Sequence, residues 1–586
     1  MAKAHGAVYV AEIKTRYKDK VYTSYLLRRT YRENGKVKQQ TLGNLSALPL
    51  EAIALLRGTL RGQKYIPDYQ ALETRRSWHH GHVAAVGAML RRLGLDRLLD
   101  PLPADERERV VALIIARVVA PQSKSATVRW WQSTTLALSP AVGEASADDL
   151  DEAMDWLEAR QPRVERALAR RHLHEGGLVL YDLTSSYVEG THCPLAARGY
   201  NRDGKVGKKQ VNYGLILDPQ GRPVAVQVYR GNTADPQTIA DQAIKLKQQY
   251  RLAHVVLVGD RGMLTSARID DLRTKGGIDW ISALRNQDIQ ALATTGAVSR
   301  SMFDEQDLVE IASPDYPGER LILCRNPLLA EDRARKRREL LGATEVWLAQ
   351  LAKRVAAGRL KQAAKIGQAL GRALNRFKVG KHFACTVDTG RFSYQRREDS
   401  IAREAALDGI YVVRTSLPAT ALASEQAVSS YKSLQHAEQA FRHLKSVDIR
   451  IRPLRHWTAR RVRAHIFLCM LAYYVQWHLR QAWAPYLFED EAPGRHQDDS
   501  VVLPALRSEA ALAKARTKRT PDGEEVHSFA TLLHRLSAVV QNEVGVPAHP
   551  EIAPFAMITT PDSYQSKLFG LVGLEVTSPR RQKDTG

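Results

Sequence analysis

Two short apolar runs, each closed by an acidic residue, stand out in the hydrophobic pattern of the chain. In GGLVLYDLTSSY, residues 176–187, Leu178 to Tyr181 form an almost unbroken apolar run and Asp182 follows at once. In HVVLVGDRGM, Val255 to Val258 precede Gly259 and Asp260. Such runs read as strands buried on both faces, although a buried helix segment has the same periodicity. A carboxylate where a buried strand ends is costly unless it is paired or bound to a cation, which raises the odds of a site. The plainer reading of each aspartate is a turn or cap residue. Between them, Lys208 to Leu217 and Arg222 to Tyr229 are β-rich and joined by Asp218-Pro219-Gln220-Gly221, a hairpin signal, and Pro236 to Tyr250 is helical. After Asp260, the amphipathic stretch Thr265 to Lys275 leads into the apolar run Trp280 to Leu284. Strand, hairpin, helix, strand, helix, strand is the order of a ribonuclease-H-like core. Its strand–helix–strand passage makes parallel neighbours and brings Asp182 and Asp260 to one edge if the two strands are adjacent.

A third acidic residue is expected from a helix. Ser429 to Lys445 has helical spacing, with Leu434, Ala437, Phe441 and Leu444 on one apolar stripe. Tyr431, Glu438 and Lys445 lie seven residues apart and drift by only about 20° per step around the helix. Arg442, four residues after Glu438, joins this polar stripe. A solvated Glu–Arg face would look the same.

Taken jointly, YDLTSSYVEG, the GNTADP segment Gly231 to Pro236, GDRGM and Tyr431…Glu438…Lys445 with Phe441-Arg442 resemble the catalytic motifs of bacterial DDE transposases. More narrowly, they resemble the insertion-sequence-four group, whose third motif is Tyr-x2-Arg-x3-Glu-x6-Lys. The arginine of that pattern is replaced here by Leu434. The resemblance covers about residues 176 to 480. It implies that Asp182, Asp260 and Glu438 are catalytic and ligate two Mg²⁺ or Mn²⁺ ions, with Asp182 bridging both. It also implies DNA contacts by Tyr431, Arg442 and Lys445, cleavage at transposon ends, and transfer of the freed 3′-hydroxyl into target DNA. Three converging carboxylates suit hard oxygen-preferring cations rather than zinc. A metal-dependent nuclease of the same fold, without strand transfer, and a non-catalytic DNA-binding descendant are the competing readings.

Composition agrees with a polyanionic partner. Of 586 residues, 86 are Lys or Arg against 63 Asp or Glu, a formal charge of +23. The apolar run Ile466 to Val475 is too short to span a bilayer, and MAKAHGAVYV lacks the apolar core of a signal peptide, so a cytoplasmic, nucleoid-associated protein is expected. Cys193, Cys324, Cys385 and Cys469 show no paired spacing.

The expected organisation is α/β. A ribonuclease-H-like core, a mixed sheet flanked by helices, is interrupted by an inserted α+β domain and preceded by a small β and a helical domain. Residues 1–75 read as an antiparallel β module with a helix, and 76–175 as a helical, possibly DNA-binding domain. The core is divided into 176–285 and 426–482 by an insertion over 286–425, a length too great for a connection. Within the insertion, Glu331 to Lys381 is densely basic, so Arg335, Arg337 and Arg338 are candidate phosphate contacts. Arg450 and Arg452 open a second arginine-rich run expected to face DNA. Residues 483–586 form a polar tail whose piece Phe529 to Val544 reads as a helix suited to dimer contacts. The expected partners are double-stranded DNA, both transposon ends and target, and a second copy of the chain in a synaptic complex.

Overall fold

The computed structural model describes residues 7–576 except 34, 66–71, 201, 206, 299–301, 303–306, 490–507 and 548, with backbone alone at 446 and 447. Asn34 and part of the expected polar tail lie outside the described residues. Two units are distinguished. One comprises 1–78, 540–559 and 577–586, and the other 79–539 with 560–576.

The first unit begins with strands β1 (Val8–Tyr17), β2 (Lys20–Glu33) and β3 (Lys36–Asn44), an antiparallel sheet in the order β1-β2-β3. This is the antiparallel β module expected at the N-terminus, and its helix, Leu50–Leu60, follows. Strand β4 (Glu73–His79) then joins a second small sheet whose other strands come from the far end of the sequence.

The second unit is built on eight strands: β5 (Leu178–Tyr187), β6 (Gln210–Leu217), β7 (Pro223–Arg230), β8 (Val255–Gly259), β9 (Ile278–Ala283), β10 (Leu308–Ile311), β11 (Arg320–Arg325) and β14 (Ile410–Thr415), with the hairpin β12 (Phe383–Asp388) and β13 (Arg391–Arg396) apart from them. The order across the sheet is β10-β11-β14-β9-β8-β5-β6-β7. Strands β5, β8 and β9 are parallel, and β6 and β7 continue antiparallel from β5. These five strands have the ribonuclease-H-like order inferred from the sequence. The other three correct it. Strands β10, β11 and β14 fall inside the expected insertion, yet β14 pairs antiparallel with β9, so the central sheet extends through them. Their apolar residues Leu321, Leu323, Ile410 and Val412 form one core with Leu284, Ile289 and Leu292, which explains why the chain returns to the sheet. What lies between β11 and β14 is smaller: helices Pro327–Ala356 and Ala363–Phe377 packed on the β12–β13 hairpin.

Residues 79–174 are helical as expected but form part of the core unit. The long helix Ala147–His172 starts at a capping box of Ser146 and Asp149 and packs on β7. Its Glu165 is buried, paired with Lys245 at 2.7 Å, and accepts from the Val226 amide at 3.0 Å and the Tyr250 hydroxyl at 3.1 Å. A buried carboxylate with its partners in place locks this helix to the sheet. Helix Ala459–Ala482, buried from Ile466 to Val475, packs on β7, on Ala147–His172 and on Asp105–Val119. An apolar surface all around a helix is what burial among several neighbours requires. Beyond it, the expected helix Phe529 to Val544 is in fact helix Phe529–Ser537 followed by strand β15 (Val540–Gly545), which pairs with β16 (Phe555–Ile558) and lies between β16 and β4.

Candidate active site

Strands β5 and β8 pair in parallel with Tyr181 opposite Gly259, so Asp182 and Asp260 each follow directly on the last paired position. Asp182 does not end its strand, as the sequence suggested. Strand β5 runs on to Tyr187, paired only with β6, so Asp182 sits where β5 parts from β8. Asp260 begins the turn after β8, exposed, its carboxylate accepting from the Gly262 amide at 3.4 Å.

Glu438 arrives on helix Gln435–Arg442, which packs against β5. The continuous helix expected over Ser429 to Lys445 is broken. Helix Ser424–Lys432 ends, a turn at Ser433 and Leu434 follows, and the second helix runs into a wide turn over His443–Val447. Leu434 is thus a half-buried residue at the hinge rather than the buried start of an apolar stripe. Phe441 does pack inward, its ring 6.0 Å from Tyr213 of β6 in an edge-to-face arrangement, and His436 Nδ1 bonds the Pro219 carbonyl at 2.9 Å. Past Glu438 the helix is anchored at Asp448, which is bonded by His443 at 2.7 Å and Arg480 at 2.8 Å.

Electrostatics couple the three acids. Burial first, and then the charges of Asp260 and Glu438, push the Asp182 carboxyl up to about 7 against the opposing effects of the Leu183 amide and Arg202. Burial also raises the Tyr431 phenol, as do Asp260, to which its hydroxyl donates, and Glu438. Tyr431 therefore feels the charge of two of the acids and is hydrogen-bonded to one of them. Excess negative charge is what a cation site offers in the absence of its ion. Among the described residues, however, no three His, Cys, Asp or Glu side chains are gathered closely enough to hold one ion together. What the three acids offer a divalent cation is the concentrated negative charge that Asp260 and Glu438 impose on the buried Asp182.

The remaining candidates separate. Lys445 Nζ and an Arg452 nitrogen both bind one oxygen of Asp203, at 3.0 and 2.6 Å, and the Tyr187 amide bonds the other at 3.1 Å. Burial, partly offset by Asp203, lowers the Lys445 ammonium. Arg442 is half-buried, and Arg450 takes a left-handed backbone, φ 52°. On the inserted helix, Arg335 is exposed and bonds Asp332 at 2.5 Å, and Arg338 is exposed. Arg337 departs from its expected role. Its guanidinium is buried and paired with Asp408 and with Glu404 at 3.7 Å, closing the inserted helix onto the segment before β14. It is not open to a phosphate.

Sequence reasoning missed Arg202 and Asp203. They lie in the segment between β5 and β6, which carries no apolar period. Arg202 pairs with Asp235 of the GNTADP segment, and its amide bonds Ser185 Oγ at 3.3 Å. The same segment is held to β6 by Gln210 to the Gly231 carbonyl and Asn212 to the Thr233 carbonyl, both at 2.9 Å. A Cβ on Gly231 would lie 1.9 Å from the Gln210 carbonyl oxygen, so only glycine fits there. The one available signal was the acid–base density of NRDGKVGKK.

Residues 10–68 match the N-terminal domain of the IS1634 family transposases. No curated protein matches the chain. A cryo-EM structure of a piggyBac transposase synaptic complex with hairpin DNA is similar at 9% identity, covering 75% of this chain and 87% of that one with a TM-score of 0.31. Residues 174–475, more than half of the chain and all of the span from β5 into the long buried helix, match the transposase DDE domain. The protein belongs to the DDE transposases of bacterial insertion sequences.

Proposed function

We propose that Asp182, Asp260 and Glu438 are the catalytic acids with which this transposase cuts and rejoins DNA strands. The observation that carries the reading is the β5–β8 register, which sets Asp182 beside Asp260, while the Glu438 helix packs on the same strand. Asp182 would be shared by two Mg²⁺ or Mn²⁺ ions, with Asp260 and Glu438 completing one each. When bound, such a pair of ions activates an attacking oxygen and stabilises the leaving oxygen of a phosphodiester.

The protein's own groups do the rest. Buried partly by β5 and the helix over it, Asp182 gives up its proton readily only when positive charge arrives. Tyr431 steadies Asp260 through its hydroxyl. Lys445, held by Asp203, supplies fixed positive charge one side of the Glu438 helix, and Arg442 lies on the same helix. Together these position a backbone phosphate against the acids. Arg335 and Arg338 extend phosphate contacts onto the inserted helices. A second copy of the chain holding a second DNA end is part of this reading, and light scattering with and without end DNA measures it. No helix among the described residues is long and apolar enough to cross a membrane.

The test is a strand-cleavage and strand-transfer assay on DNA carrying the element's ends, with Mg²⁺ or Mn²⁺ supplied. Joined products are expected. Cleavage without joining would reduce the protein to a nuclease, and neither would leave it a DNA-binding protein.

A further inference from the structure

A half-open cavity of about 930 Å³ lies between the helical region and the segment after the Glu438 helix. It is at the upper end of the roughly 300–1,000 Å³ usual for ligand pockets. Its charge is one-sided. Arg117, Lys124, Arg450, Arg452, Arg455 and Arg461 line it against a single carboxylate, Asp151, whose Oδ2 is shared by Lys124 at 2.5 Å and Arg461 at 3.1 Å. Arg452 is balanced from outside by Asp203, which also holds Lys445, and Arg461 by Asp155 at 3.6 Å, which leaves Arg117, Arg450 and Arg455. The remaining cations leave a strong positive excess in a concave site, where low-dielectric walls focus the field on an anion. The 24-residue helix Ala459–Ala482 opens at this cavity and adds the positive end of its dipole.

The floor is different. Leu113, Met154, Ile451 and Leu468 are apolar, and the rings of His456 and His465 lie 4.9 Å apart among them. At the rim, Trp457 is 68% exposed, an unusual placement for the largest aromatic side chain, and it leans on the His192 ring at 5.5 Å. Charged rim, apolar floor and an exposed indole suit a ligand with phosphates on one edge and flat apolar rings on the other. A DNA duplex offers the first but keeps its rings stacked inside. An unpaired strand offers both.

We propose that this cavity binds an unpaired DNA strand, its phosphates on Arg117, Arg450 and Arg455 and a base stacked on Trp457. The inference rests on the reading of the protein as a DNA-cleaving transposase and adds a site for strands separated from their complements. Arg452 lines the cavity and meets Lys445 at Asp203, so a strand held here would lie next to the catalytic helix.

The experiment compares binding of a fluorescent single-stranded oligonucleotide of the element's end with binding of the same sequence as a duplex. It is done in EDTA, so that no step depends on the acids. Trp457→Ala should weaken single-strand binding by about ten-fold or more, from the loss of one stacked base, and change duplex binding by less than about two-fold. Trp457→Phe should restore most of the affinity. Arg117→Gln should lower the salt dependence for the single strand by about one contact. Unchanged single-strand binding in Trp457→Ala, or equal losses on both forms of DNA, would overturn the proposal. A failure of the catalytic reading would show separately, as absence of cleavage by the unaltered protein with Mg²⁺.

Discussion

Arg337 and its neighbours show how differently adjacent basic residues are used. Arg335, Arg337 and Arg338 look equivalent in sequence, yet only Arg337 is buried, between Asp408 and Glu404. Removing one partner of a buried pair leaves the other charge stranded, at a cost of about 3–5 kcal/mol. Arg337→Ala should therefore lower thermal stability markedly in a melt. Arg335→Ala with Arg338→Ala should leave stability almost unchanged and flatten the salt dependence of DNA binding by about one unit of slope per lost contact. Equal melting curves for the two variants would show that the burial of Arg337 has no energetic consequence. Charge density in the sequence could not make this distinction, because the two acids that claim Arg337 lie about seventy residues further on. Leu434 is a second case. The half-buried hinge position lets an arginine head reach water, so Leu434→Arg should cost less than about 1.5–3 kcal/mol, the value of burying a whole leucine side chain.

At the scale of elements, the sequence disclosed strands better than it did helix ends. The apolar runs of β5, β8 and β9 and the Asp218–Gly221 turn were readable because a buried strand and a tight turn are local signals. The break at Ser433 and Leu434 was not, since helical spacing continues across it. The extension of the sheet by β10, β11 and β14 was hidden by a long intervening segment. What fixes the Glu438 helix is its far end, where Asp448 holds His443 and Arg480. Burial would raise Asp448, but Arg480 and His443 outweigh it and hold the carboxyl well below its usual range. Burial would lower His443, but Asp448 and Glu489 outweigh it and raise the imidazole. A histidine raised in the folded state stabilises fully below its unfolded pKa, near 6.5, and loses that contribution as pH rises through the folded value. Asp448, being depressed, stabilises throughout the neutral range. The melting-temperature advantage of the unaltered protein over His443→Gln should accordingly be greatest at pH 6 and shrink toward pH 9. A difference independent of pH would mean that His443 is held neutral.

For the whole molecule, the acids make the active site a place where function opposes stability. Asp182 has a folded pKa of about 7, above the usual carboxylate value near 3.9, so its ionised form disfavours the folded state as pH rises through that window. Asp182→Asn should raise the melting temperature of the metal-free protein at pH 8 and have less effect at pH 5. Mg²⁺ should stabilise the unaltered protein by mass action and Asp182→Asn much less. Stabilisation of both to the same degree would place the ion elsewhere. The core strands and the positions of the two aspartates were thus open to sequence reasoning, whereas Asp203, which joins Lys445 to Arg452, depended on a connection with no periodicity to read.

The central claim is that three acids, Asp182 of β5, Asp260 just after β8 and Glu438 of helix Gln435–Arg442, act together. It is tested most directly by measuring Mg²⁺-dependent cleavage and DNA-end binding for Asp182→Asn, Asp260→Asn and Glu438→Gln. Each change keeps the shape and removes the charge a cation needs. The account predicts that each variant binds end DNA nearly as well as the unaltered protein and cuts it at least about a hundredfold more slowly, the loss expected when a preorganised charge is taken from a reacting centre. Cleavage at the unaltered rate by any one of the three would remove that residue from the site and contradict the account.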